Sequence, residues 1–210
     1  MSSPQSLKLI YHLEELAANA WPAEVIQLVD GWRLRFNGGV TRRANSVWPN
    51  GSGDDLSPAE KLALVEDFYA RRDCPPRYQI CPAAQPTELN EILANRGYTL
   101  DARTAVQIAS LETLLTRSET DPAHPVVISE AFDESWFDLY RQVENFSAQA
   151  AQGRRSILQR IGPRTGFALL RIAGQPAAIG LGVVERGWLG LFGLVIFTVA
   201  LFWLSFHGGT

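Results

Sequence analysis

The chain has 210 residues, which at roughly 150 residues per domain makes one large domain or two small ones. Apolar residues are 46%, charged residues 20% and aromatic residues 10%, so a disordered, collagen-like or coiled-coil chain is excluded. A net charge of -3 with no basic cluster gives no support to a nucleic-acid partner. The 2 cysteines, Cys74 and Cys81, form no C-x-x-C pair, which reads as reduced thiols. The 3 histidines, His12, His124 and His207, have no neighbours at metal-ligand or triad spacing, so no metal site is expected. The first residues lack the basic and apolar regions of a signal peptide, which places the chain in the cytoplasm as an expectation.

Residues 5–20 carry Leu9, Leu13, Leu16 and Ala20 at helical spacing, and Trp21-Pro22 closes the pattern. Two apolar runs, 25–29 and 32–36, flank Asp30-Gly31 and predict a hairpin, with Gly38-Gly39 breaking the second strand. A short strand is expected at 44–48, then a Gly/Ser/Asp loop over 49–55. Ser57, Pro58 and Glu60 form a capping signal for a helix whose apolar face is Leu62, Val65, Phe68 and Tyr69. Beyond Pro75-Pro76 the pattern predicts a strand at 77–81, a helix at 87–95 ended by Gly97, and strands at 98–100 and 104–111.

Residues 116–124 are polar and aperiodic, and read as a linker. A strand at 125–129 precedes a helix capped by Asp133 or Ser135, with Trp136, Tyr140 and Val143 on one face. A second helix runs from 149 to 161 and stops at Gly162-Pro163. Three strands follow, 167–173, 176–185 and 188 onward, joined by turns at Gly174-Gln175 and Arg186-Gly187. The expected class is α+β, with a mixed, mostly antiparallel sheet in each half and helices packed on it.

This strand, helix, helix, meander order resembles the opening half of the GCN5-related N-acetyltransferase fold. Several stretches are similar to bacterial members that carry an extra N-terminal domain. They are Asp30-Gly31-Trp32-Arg33-Leu34-Arg35-Phe36, Gly38-Gly39-Val40-Thr41-Arg42-Arg43-Ala44-Asn45-Ser46-Val47, Phe68-Tyr69-Ala70-Arg71-Arg72, Pro75-Pro76-Arg77-Tyr78, Asn95-Arg96-Gly97-Tyr98 and Gly187-Trp188-Leu189-Gly190-Leu191-Phe192-Gly193. The resemblance covers residues 7–195. It implies a first unit at 1–118, itself comparable to a degenerate acetyltransferase-like domain, a linker at 119–124, the first half of the acetyltransferase domain at 125–196, and an apolar tail outside the family pattern at 197–210.

What the resemblance implies is acyl transfer from acetyl-coenzyme A to the amine of a small molecule or peptide. It places the cofactor against the backbone of Gly193, Leu194 and Val195. The family then needs an R/Q-x-x-G-x-G/A loop opening a helix, whose free N–H groups bind the pyrophosphate. No such loop stands between Val195 and Thr210, and Gly180-Leu181-Gly182 lies within a strand pattern, where packing or a bulge accounts for it. Impaired activity is expected for this chain, and the alternative is a non-catalytic interaction module that keeps the fold.

Candidate bases are the carboxylates Glu185 and Glu144, each weighed against a solvated surface position. Thr41, Arg42, Arg43 and Asn45, beside the paired glycines and next to Trp32, are candidates for a substrate cleft, weighed against a solvated loop with strand-edge hydrogen bonds. The uncharged run from Gly187 to Phe206 reaches the length of about 20 residues that a membrane-spanning helix needs. A meander strand over 188–195 competes for its first half and leaves too little to span, so a truncated or frameshifted end is the expectation and a membrane tether the alternative. An open fourth strand predicts self-association or poor solubility.

Overall fold

The structure is a computed structural model that describes residues 3–118 and 122–197. Its described residues form six helices and two antiparallel sheets, an α+β architecture. Helix α1 spans Pro4–Ala20, capped by the Ser3 hydroxyl, with Pro4 at the first helical position. Strands β1 (Val25–Val29), β2 (Trp32–Phe36) and β3 (Val47–Trp48) make the first sheet in that order. Among the described residues the only parallel pairing is an isolated bridge from Val47 to Tyr78, so the strand expected at 77–81 is reduced to one paired residue.

Helix α2 (Pro58–Ala70) carries the full capping box between Ser57 and Glu60. It buries Leu62, Val65, Phe68 and Tyr69 against Trp32, Leu34 and Val47, and α3 (Leu89–Asn95) closes this core with Leu89 and Leu93. On β2 the alternation is strict in consequence: Trp32 and Leu34 enter that core while Arg33 and Arg35 face the other way.

The strands expected at 98–100 and 104–111 do not form. Residues 98–110 have no regular structure, Val106 and Ile108 are exposed, and α4 (Leu111–Arg117), capped by Ser110, takes the end of the segment. An alternating run becomes a strand only when an adjacent backbone accepts its hydrogen bonds, and among the described residues none pairs with this one. Because α4 runs to Arg117, it also takes the opening residues of the segment expected to be a linker.

The second sheet has the order β4 (Val126–Ser129), β5 (Arg164–Ile172), β6 (Gln175–Glu185), β7 (Trp188–Ile196). Two helices cover one face, α5 (Glu134–Glu144), capped by Asp133, and α6 (Ala148–Gln159), capped by Ser147. Their Trp136, Phe137, Ile157 and Leu158 pack on Phe167, Ile179, Leu181 and Val183. The same core takes in Ala20, Trp21 and Ala44, so the chain's first segments pack into the second sheet's core.

Both β5–β6 and β6–β7 turns place a residue and its following glycine at positive φ, Ala173-Gly174 and Arg186-Gly187, as Asp30-Gly31 does in the first sheet. These are the twist-matched two-residue turns of hairpins. The first of them therefore sits one residue earlier than Gly174-Gln175, with Gln175 already paired to Ile172.

Of the uncharged run, Trp188–Ile196 is strand, and no helix among the described residues is long and apolar enough to cross a membrane. Residues 198–206, on which the tether and the non-family tail depend, lie outside the described residues.

Candidate functional site

The β6–β7 ladder is regular from Glu185 opposite Trp188 to Leu181 opposite Phe192, then resumes at Ile179 opposite Val195. Gly193 and Leu194 thus share the space opposite the single residue Gly180, which is a β-bulge. Gly193 takes φ +53°, a left-handed conformation that glycine adopts without strain. Gly180 stands opposite it, and a Cβ there would lie 2.8 Å from Leu194 Cδ2, the end of an exposed side chain that can turn away. The Gly180-Leu181-Gly182 run therefore lies on the strand facing the bulge.

The bulge opens onto a cavity of about 330 Å³. Gly193 forms its floor, Tyr140 and Arg154 come from α5 and α6, and Trp21 with Thr41, Arg42 and Arg43 completes it from the first part of the chain. Thr41 holds φ +64° because its Oγ1 accepts hydrogen bonds from Trp21 Nε1 (3.1 Å) and Ala44 N (3.3 Å). The Arg43 guanidinium lies over the rings of Trp21 (5.7 Å) and Phe192 (5.4 Å), and this loss of water lowers its pKa. Arg154 stacks 3.8 Å above Phe146 and its buried Nε has no partner. Burial raises the Tyr140 pKa, with Arg154 opposing and Glu144 adding to the shift, so the phenol stays protonated at neutral pH. Arg42 is drawn off to an exposed pair with Asp101 at 3.0 Å.

Of the sequence candidates for a substrate cleft, Thr41, Arg42 and Arg43 line this cavity. Trp32 is fully buried in the first core and donates Nε1 to the Gln85 carbonyl at 3.0 Å, so it lines no cleft. Asn45 is fully buried as well. Its Oδ1 accepts from Asn37 N (2.7 Å) and Gly39 N (3.0 Å), and its Nδ2 donates to the carbonyls of Val40 and Thr41, both at 2.7 Å. Asn45 thereby braces the loop that presents Thr41, Arg42 and Arg43, with no polar atom left for a ligand.

The two carboxylates separate. Glu144 ends α5 one helical turn beyond Tyr140 and is exposed. Glu185 pairs with Trp188, five residues before Gly193 on β7, or ~16 Å along the strand. There it accepts Asn19 Nδ2 at 3.1 Å on both oxygens and lies 3.4 Å from Arg186 Nε, tying α1 to the β6–β7 hairpin. Glu185 is therefore remote from the bulge.

Tyr140 and Trp21 escape a reading of sequence alone because each carries a stronger structural signal, a helix face and a helix stop; Arg154, with Arg155, reads there either as a contact for an anionic ligand or as part of a solvated helix face. The usable hint for Arg154 is its neighbour Gly153, whose lack of Cβ brings Val40 of the braced loop against α6.

A four-stranded antiparallel meander with a bulged last strand and two helices on one face is the setting in which the comparisons stand. Residues 9–199 match the family described as "Probable histone acetyltransferase Rv0428c C-terminal", and the chain belongs to that family. It is 28% identical over 187 residues to the uncharacterized N-acetyltransferase YobR of Bacillus subtilis (strain 168), covering 89% of this chain and 74% of that one. It is 27% identical over 140 residues to the probable histone acetyltransferase Rv0428c of Mycobacterium tuberculosis (strain ATCC 25618 / H37Rv), covering 67% of this chain and 41% of that one. No solved structure gives a significant match.

Proposed function

We propose that the chain carries the acceptor side and the thioester seat of an acetyl-coenzyme A dependent N-acetyltransferase. The observation that carries this reading is the Gly193 bulge opening directly onto the cavity of Tyr140, Arg43 and Arg154. Gly193 fits a close-approaching ligand, because even an added Cβ would find only ordinary van der Waals neighbours, Trp136 at 3.7 Å and Tyr140 at 3.9 Å. Backbone groups of Gly193, Leu194 and Val195 would hold the pantetheine end of the cofactor. When bound, acetyl-coenzyme A supplies an acyl thioester activated toward an amine.

The chain's own groups do the rest. Glu144, rather than Glu185, is the carboxylate on the Tyr140 side and takes the acceptor ammonium's proton, directly or through water. Tyr140, protonated at neutral pH, donates a hydrogen bond into the cavity. Arg43 and Arg154 favour an acceptor, small molecule or peptide, that bears negative charge near its amine.

The test is a calorimetric titration of the 210-residue chain with acetyl-coenzyme A, beside a family member that carries a phosphate loop. Saturable binding, weaker than that relative's and lost in Gly193→Val, is the expected result. Absence of heat together with absence of thermal stabilisation overturns the reading and leaves an interaction module with an acetyltransferase-like sheet. Glu144→Gln should bind the cofactor normally while turning over acceptor at least tenfold more slowly.

A further inference from the structure

A second cavity, of about 480 Å³, lies between α1, the outward face of β2, the end of α6 and the β6 end of the second sheet. Arg33, Arg35 and Arg160 line it, with Glu185 and Asn19 on the α1 side and an apolar wall that includes Ile26 and Pro163. Arg35 is only 2% exposed, yet its one side-chain partner is a long hydrogen bond to Ser46 Oγ at 3.4 Å, and its Nε has none. Burial lowers its pKa to about 10, so it is still charged at neutral pH.

Arg160 reaches only neutral acceptors, the side chains of Ser156 and Asn37 and the Pro22 carbonyl, and its buried Nε is also unpartnered. Among the described residues none of the three arginines forms an ion pair, although the exposed arginines of this chain mostly do. The half-buried Glu14 partly offsets the charge of Arg35 from a distance, and Glu185 lies on the cavity wall, but neither bonds to Arg35 or Arg160, so the lost hydration of the two guanidinium groups is only partly repaid. Arg35 and Arg160 both line this cavity and neither has its hydrogen-bonding capacity filled, so together they make a site that a planar or tetrahedral oxyanion completes.

We infer that this cavity binds a small oxyanion-bearing ligand, with a carboxylate or phosphate group held between Arg35 and Arg160. Arg35 belongs to β2 and Arg160 to the end of α6, so the ligand bridges the first sheet and the second layer of helices. Glu185, kept in place by Asn19 and Arg186, sets a negative boundary and excludes a second anionic group on that side. The site is distinct from the bulge cavity and does not depend on acetyl transfer.

The test uses thermal unfolding and calorimetry of the whole chain in inorganic phosphate, in succinate and in chloride at matched ionic strength. Phosphate alone, succinate alone or both raising Tm above chloride by a few degrees identifies which oxyanion the site takes. Arg160→Gln should weaken binding at least tenfold, Glu185→Gln should tighten it several-fold, and Arg171→Gln, exposed at the β5–β6 turn and in neither cavity, should titrate like the parent. Should Arg35→Met fold, it should lose the response while melting no lower than the parent in chloride. Equal stabilisation by all three salts, an unchanged Arg160→Gln titration, or loss of the response in Arg171→Gln would each overturn the inference.

Discussion

Single polar residues decide how the first part of the chain presents the bulge cavity. Asn45 satisfies four backbone groups of the loop at Asn37, Gly39, Val40 and Thr41. Asn45→Ala should therefore cost about 3 kcal/mol in urea unfolding, from donors and acceptors left buried and unpaired, and should weaken any ligand that needs Arg43. The sequence shows a polar cluster beside two glycines. Whether an asparagine there turns into its own loop or out to a ligand depends on tertiary placement, so Asn45 reads equally well as a contact or a brace.

Lys61 is a second such residue, in the middle of an apolar helix face. Its Nζ donates to the carbonyls of Asp30 (2.8 Å) and Ser52 (2.6 Å) and pairs with Asp30 Oδ2 at 2.8 Å, pinning α2 to the first hairpin turn. That hydrogen bond is the leading cause that holds the Asp30 pKa below its ordinary 3.8. A lowered folded pKa means that the stabilisation is complete above pH 3.8 and is lost as pH falls through the lowered value. Lys61→Met should lower Tm at neutral pH by about 5–10 °C, and the gap to the parent should close in acid. A gap independent of pH would show that Lys61 acts by packing alone.

At the scale of elements, the sequence signals that hold are local ones. The Ser57-Glu60 capping box and the turns at Asp30-Gly31 and Arg186-Gly187 are fixed by contacts within a few residues and form as read; Asp133 takes the cap that the sequence left open between it and Ser135, and the β5–β6 turn falls one residue early. The strand signal at 104–111 fails because pairing is non-local and no partner lies there. The bulge was legible only as an excess of glycine, since which residue takes positive φ depends on register with Gly180. Gly153 shows the same limit in a helix. An alanine at a helical glycine usually gains about 1 kcal/mol, but a Cβ here would sit 2.7 Å from Val40 Cβ and Cγ2. Gly153→Ala should instead destabilise by about 1–3 kcal/mol and loosen the braced loop, measurable as faster amide exchange at residues 38–43.

On the scale of the whole molecule, one face of the second sheet has no cover among the described residues. Helices α5 and α6 take the face of Phe167, Ile179, Leu181 and Val183, while Val126, Ile128, Val184, Leu189, Leu191, Leu194 and Ile196 stand exposed on the other. Cross-strand rows such as Val126, Leu170, Ala178 and Ile196 make this face continuous across all four strands. The free edge of β7 is a poorer docking element than its face: the bulge twists it at Gly193, and α1 lies against its start through His12–Trp188 and Glu15–Arg186 contacts. A second copy of the chain offers an identical apolar face, and face-to-face packing of two twisted sheets buries both. The 210-residue chain should therefore sediment as a concentration-dependent dimer. Leu189→Lys with Leu191→Lys should shift it to monomer, while the buried core and the bulge cavity remain intact. A parent that sediments as a monomer at high concentration would overturn the face-to-face dimer.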